Sequence, residues 1–212
     1  MVVQDPVKVV VVNYPEEDEM LIIENNPVNQ NMGTREVPFS RELYIEREDF
    51  MEVPVKGFHR LSPGVEVRLK GAYFIRCEEV LKDSAGNITE IRCTYDPETK
   101  SGSGFSERKV KGTIHWVSAR HAINCELRLY DSLLLQGAEP GENGEDWMEC
   151  LNPDSLRVVR NAMIEPWAER AEPGSRFQFI RNGYYILESS DVSAAGSLVF
   201  NRIVPLKDGW KK

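Results

Sequence analysis

Apolar residues in this chain recur at every second position in short runs, and turn-forming residues separate the runs. Val65, Val67 and Leu69 alternate with Glu66, Arg68 and Lys70; Cys125, Leu127 and Leu129 alternate with Glu126, Arg128 and Tyr130. In 88–95, Ile91, Cys93 and Tyr95 share one face. A period of two sends neighbouring side chains to opposite faces, so these runs predict half-buried strands. Further strands are expected at 7–12, 20–23, 36–39, 42–45, 72–81, 156–159 and 199–204. Only 46–51 and 166–172 read as helical, each for a turn or two. Roughly ten or more short strands without a long amphipathic helix make an all-β protein, and barrels suit it because closure removes exposed edges.

The connections carry their own signals. Residues 82–87 are turn chemistry, and 53–57 read as a joint. The stretch from Phe177 to Leu187 reads as a hairpin around Asn182-Gly183, a pair that tolerates positive φ at both central positions of a type I′ turn. Residues 97–108 and 137–145, rich in Gly and charge, are expected to be exposed loops, the first of them mobile. The most distinctive string is 109–118, where Lys109 and Lys111 lead into an apolar run. It predicts one buried strand, with Ile114 and Trp116 on one face and Thr113, His115 and Val117 on the other.

Little here points to catalysis. The three histidines, His59, His115 and His121, lack zinc-site spacing, and neither a nucleophile elbow nor a phosphate-binding P-loop occurs. His115, inside a β-branched strand, reads as structural. The four cysteines form no C-x-x-C pair and are expected to be inert core thiols. Asn87-Ile88-Thr89 reads as a turn. No apolar run approaches the roughly 20 residues a bilayer requires, and the first residues lack a basic signal region, so a cytoplasmic protein without membrane or metal is expected.

The net charge of −8 and pI of 5.1 argue against a phosphate-bearing partner unless the cations are concentrated. They gather at 57–76, 107–111 and 157–181, while acidic residues cluster at 16–19 and 139–149. Arg60, Arg68, Lys70 and Arg76 fall within one strand–turn–strand unit, and Arg68 and Lys70 share a face. Guanidinium groups suit two-pronged contacts to guanine and phosphate. The alternative is a solvated face salt-bridged to Glu66 and Glu78.

Separated strings resemble the C-terminal anticodon-binding region of glutaminyl-tRNA synthetases: 5–8 (Asp-Pro-Val-Lys), 32–40 (Met-Gly-Thr-Arg-Glu-Val-Pro-Phe-Ser), 110–118 and 200–202 (Phe-Asn-Arg). Arg47-Glu48-Asp49-Phe50, Val67-Arg68-Leu69, Cys93-Thr94-Tyr95-Asp96 and Arg128-Leu129-Tyr130-Asp131 add to them, and together they span essentially the whole chain. The resemblance implies two β-barrels, a distal one (53–121) inserted into a proximal one built from 1–52 and 122–212. It also implies that a splayed anticodon of a glutamine tRNA is read base by base, as single-stranded RNA usually is.

Carried over by position, Arg60 matches the reader of a guanine at the third anticodon base. Arg68 and Lys70 match two basic residues at the first base, and Gln178 and Arg181 match the pair that holds a central uridine. Lys70 stands where arginine is expected, which keeps a phosphate contact and weakens a bidentate one; His59 stands where lysine often sits. A further arginine of the uridine pocket would precede Met1. The nucleotide-binding motifs of the synthetase catalytic domain do not occur in the sequence. The chain is therefore expected to be a piece that binds without catalysing and without a cofactor of its own. ATP would be used by a catalytic domain of the same polypeptide, in a monomeric ligase. An archaeal or eukaryotic glutamyl-tRNA synthetase shares this region and is the nearest alternative; a barrel that binds proteins rather than tRNA is another.

Overall fold

The computed structural model describes residues 1–26, 28–135, 148–188 and 198–206. The expected 137–145 loop, residues 139–147 of the acidic cluster and Trp210 lie outside the described residues. Within them the chain is all-β. The helical turns expected at 46–51 and 166–172 are the 3-10 turns Arg47–Asp49 and Pro166–Arg170. No helix among the described residues is long and apolar enough to cross a membrane.

The chain divides into two compact units, the first comprising Met1–Ile123 and Ala162–Arg170. Its strands begin with β1 (Val2–Val3), β2 (Pro6–Val11), β3 (Glu19–Glu24), β4 (Thr34–Phe39) and β5 (Glu42–Glu46). They continue with β6 (Glu66–Leu69), β7 (Phe74–Lys82), β8 (Ile88–Asp96), β9 (Thr113–Ile114) and β10 (Trp116–Ser118). Seven of them form one sheet in the order β10-β5-β2-β8-β7-β6-β9, and β3 pairs with β4 in a separate ribbon. The alternation that predicted β6 is visible as burial of Val67 and Leu69, with Glu66 and Arg68 half-buried beside them, while Val65, the first apolar residue of the run, precedes the strand and is exposed.

The outermost strands of that sheet, β9 and β10, are consecutive in the chain, with only His115 between them. The string 109–118 is therefore not one strand. β9 runs parallel to β6, and β10 runs antiparallel to β5, so the chain crosses from one edge to the other and leaves a nearly closed, barrel-like sheet. Residues 114–118 are all buried, which erases the alternation that would have marked a break. Trp116 is fully buried, and its indole Nε1 donates to the Lys70 carbonyl at 3.0 Å. His115 Nε2 lies 3.3 Å from Glu46 Oε1, and the Glu46 carboxylate accepts the Gln4 and Asp5 amides at 2.8 and 3.1 Å.

Around this seam Val9, Leu43, Ile75, Ile91 and Ile114 are fully buried, each such side chain contributing about 1.5–3 kcal/mol by leaving water. Cys77 and Cys93 face each other across β7 and β8 as free, buried thiols. Hydrogen bonding to Cys77 and burial push the Cys93 thiol well above its ordinary range. Cys125 is also buried, and burial pushes it up to about 12. Thiols held protonated in this way suit inert packing; Cys150 is only half-buried.

β2 is hydrogen-bonded to β5 on one side and to β8 on the other. Residues before 53 thus share a sheet with residues after it. The compact division passes at Ile123/Asn124 and around Ala162–Arg170, whereas the sequence suggests joints near 53 and 121.

The second unit comprises Asn124–Asn161 and Ala171–Lys212. Its strands are β11 (Ile123–Tyr130), β12 (Leu156–Ile164), β13 (Arg176–Phe179), β14 (Gly183–Leu187) and β15 (Leu198–Pro205), ordered β12-β11-β15-β14-β13 as a half-barrel. β12 outruns the expected 156–159, and its last residues, in the first unit, pair with β1. Phe179 packs on Tyr185 and Phe200 at centroid distances of 4.7 and 5.1 Å, which anchors the β13–β14 hairpin.

The hairpin turn departs from type I′. Phe179 pairs with Gly183, leaving three residues between the strands, and Phe179 O accepts the Asn182 amide at 2.9 Å. The left-handed residue is Arg181, at φ 67°, in place of Asn182. Gly183 serves close packing: a Cβ there would sit 2.6 Å from the Val204 carbonyl oxygen.

Candidate nucleic-acid interface

In an antiparallel ladder, directly paired residues point to the same face. Glu66 pairs with Arg76 and Arg68 with Phe74; Phe74 in turn pairs with Asp96, and Arg76 with Thr94. These side chains line the face of β6–β7–β8 opposite the one that carries Val67, Ile75 and Cys77 into the core. The Arg68 guanidinium lies 4.2 Å from the Phe74 ring centroid, a cation–π distance. Its Nη1 donates to the Thr99 carbonyl at 3.2 Å and to Ser101 Oγ at 3.0 Å. Burial draws its pKa below the ordinary arginine value.

The salt-bridge alternative fails for Arg68. Glu66 is taken by Arg108, at 2.9 Å to Nε and 2.7 Å to Nη2. Glu78 accepts the Thr94 hydroxyl and lies 4.0 Å from Arg76. Nor do residues 97–108 form a loose loop. Thr99 is fully buried, its Oγ1 accepts the Phe74 amide at 2.8 Å, and the Ser101 amide donates to the Ala72 carbonyl at 2.9 Å. The segment lies as a strap on this face, where Phe74 is only 2% exposed and Phe105 meets it edge-on at 6.0 Å. Thr99, Ser101, Phe74 and Arg108 were not legible as site residues; the only sequence signal was the basic cluster at 107–111.

Arg60 sits in the loop after the Arg47–Asp49 turn, with Nη1 3.1 Å from Asp49 Oδ1 and 3.2 Å from Glu48 Oε1. The same loop is held close to the lead-in of β9: a Cβ on Gly112 would meet the His59 carbonyl oxygen at 1.9 Å. The Gly112 carbonyl accepts the Arg68 amide, and Ile114 O accepts the Lys70 amide, each at 2.9 Å. Gly112 therefore ties the Arg60 loop to the strand bearing Arg68 and Lys70. Among the described residues of this unit, Arg68, Lys70, Lys109 and Lys111 have no carboxylate partner, as is also true of Lys56 and Arg170, whereas Arg35, Arg41, Arg92, Arg108 and Arg120 all have one.

Gln178 and Arg181 belong to the second unit. Gln178 is exposed on β13, paired with Tyr184, which is 42% exposed. Arg181 occupies the turn three residues on, in the left-handed region that favours glycine. No group of three or more metal-ligating side chains occurs among the described residues.

The family description "tRNA synthetases class I (E and Q), anti-codon binding domain" matches residues 1–96, and a second family of the same description matches 113–188. A glutamine–tRNA ligase of Clostridium perfringens is 55% identical over 212 residues, covering all of this chain and 38% of the relative. Those of Clostridioides difficile and Xanthomonas campestris are 52% and 51% identical, covering 97% and 100% of the chain and 37% of each relative. The chain thus spans less than two-fifths of the length of these relatives.

Proposed function

The chain belongs to the anticodon-binding domains of class I tRNA synthetases of the E and Q type, and from that premise we propose that it reads the anticodon of a glutamine tRNA for a glutamine–tRNA ligase. The observation that carries the reading is the placement of unpaired cations in an acidic chain. Arg68, Lys70, Lys109 and Lys111 lie on two hydrogen-bonded neighbouring segments, and among the described residues none of them has a carboxylate partner. A local concentration of cations of this kind attracts a polyanion despite a net charge of −8.

The roles differ by chemistry. Arg68, stacked on Phe74 and held through Nη1, keeps its other guanidinium nitrogens for the first anticodon base. Lys70, Lys109 and Lys111 are point charges for the phosphate backbone. Arg60 reads the third base, and Gln178 and Arg181 hold the central one. ATP and glutamine are handled by the part of the ligase outside this chain, so the chain itself binds and does not catalyse.

The test is a titration of the chain with anticodon stem–loops for glutamine and for glutamate at two salt concentrations. The glutamine loop should bind more tightly, and binding should weaken as salt rises. The Lys109→Ala/Lys111→Ala variant should flatten the salt dependence by about 0.7 in log–log slope for each phosphate that is no longer neutralised. Absence of binding at low salt sinks the tRNA reading, and preference for the glutamate loop sinks the glutamine assignment.

A further inference from the structure

We propose that Arg108 is a positioning residue for the first-base contact: by clamping the 97–108 strap onto Glu66 and Asp96, it holds Arg68 in a reading conformation. The inference rests on the anticodon reading and deepens it.

Arg68 itself touches no carboxylate among the described residues; what fixes its guanidinium is the strap. Thr99 O and Ser101 Oγ take Nη1, and the Phe74 ring supports its face. The near end of the strap is secured by Thr99 and Ser101 against the backbone around Phe74. Among the described residues, the far end has a single charged fastening. Arg108 spans two elements, with Nε and Nη2 on Glu66 of β6 and Nη2 also 2.7 Å from Asp96 Oδ2 at the end of β8. Its guanidinium lies 5.3 Å from the centroids of both Phe74 and Phe105, so it fills the space between strap and sheet. The Arg108 hydrogen bond holds the Asp96 carboxyl below its ordinary range.

The clamp also has an electrostatic effect. Glu66 lies two residues from Arg68 on the same strand face, and Asp96 pairs with Phe74, the ring beneath Arg68. Unclamped, either carboxylate could capture the Arg68 guanidinium and withdraw it from a base. Arg108 neutralises both and leaves Arg68 to the strap. A planar fork can bridge two carboxylates at once, which an ammonium cannot do with the same geometry.

Arg108→Ala and Glu66→Gln/Asp96→Asn should be measured in the 212-residue chain by stem–loop titration. One set of loops varies only the first anticodon base and another varies only the third. Arg108→Ala removes a positive charge and should weaken binding overall, whereas Glu66→Gln/Asp96→Asn removes two negative charges and should tighten it. Both should nevertheless reduce first-base preference roughly tenfold, within the discrimination a good guanidinium–base contact supplies, and leave third-base preference intact. Arg108→Lys should restore overall affinity without restoring the preference. If the variants shift affinity as their charges require while first-base preference stays unchanged, Arg108 is only a surface charge and the inference is overturned. Equal loss of first- and third-base preference overturns it in favour of general unfolding, and thermal melts of each variant report that directly. If the unaltered chain binds no loop at all, the underlying anticodon reading has failed rather than the clamp alone.

Discussion

Arg60 places its guanidinium 3.1 Å from the Asp49 carboxylate, a group whose side chain is fully buried. The residue proposed to read the third base is therefore also a counter-ion of a buried acid. Arg60→Ala should cost about 1–3 kcal/mol in binding to the matching loop. It should separately cost up to about 2–3 kcal/mol in stability, because it takes a cation away from beside a buried carboxylate, and Arg60 is itself only partly covered. Pairing it with Asp49→Asn separates the two effects. Urea unfolding of Arg60→Ala/Asp49→Asn should show recovered stability, while titration should still show lost third-base preference. If that preference returns together with stability, Arg60 is a counter-ion only.

The contrast between Asp49 and Arg60 shows what was legible in the sequence. Arg60 stood in a visibly basic segment, whereas Asp49 lay in a charged helical turn where burial leaves no periodic trace. Strands with one solvated face, such as β6 and β11, declared themselves because half-burial imprints a period of two. The corner at His115 did not, because it is buried on both sides and a continuous apolar run fits a straight strand equally well. The 97–108 strap has the composition of a loose loop, and only long-range contacts from Thr99 and Arg108 pin it. In the β13–β14 hairpin, Asn182-Gly183 pointed to a turn, but its type depended on the Phe179–Gly183 register.

Gly112 should tolerate no side chain. A Cβ would sit 1.9 Å from the His59 carbonyl oxygen, a backbone atom that cannot swing aside. Gly112→Ala should lower unfolding stability by about 3 kcal/mol, at the upper end for overpacking. Because it parts the Arg60 loop from the Arg68 strand, it should weaken first- and third-base preference together. A variant of unchanged stability would show that the loop simply shifts, and that Gly112 does not hold the two segments in register.

The seam at His115 makes stability acid-sensitive through Glu46. Burial alone would raise its carboxyl pKa, but His115 and the Gln4 and Asp5 amides outweigh burial and hold it below the ordinary range. A carboxyl depressed on folding binds more protons in the unfolded chain. Its stabilising contribution is therefore present above the unfolded value of about 4.3 and is lost as pH falls through the lower folded value. The urea midpoint should fall across that window. Glu46→Gln should have a lower midpoint at neutral pH and a shallower acid slope. An identical acid slope in the variant would place the sensitivity in another carboxylate.

At Arg181, stability and recognition should pull in opposite directions. It is the only residue other than glycine with positive φ among the described residues, and it sits in the turn of the hairpin that carries Gln178. A left-handed backbone costs an ordinary side chain about 1 kcal/mol. Glycine removes that cost but loses more freedom on folding, so the backbone contribution of Arg181→Gly should be stabilising by only about 0.5 kcal/mol. Asparagine, which tolerates the left-handed region without glycine's entropy, should do at least as well. Both variants should lose preference for uridine at the central base, since neither can extend a guanidinium from the turn. Thermal melts and titration with loops varied only at that base provide the two readouts. Retained preference in both variants would remove Arg181 from recognition and leave Gln178 as the sole central-base contact proposed on this hairpin.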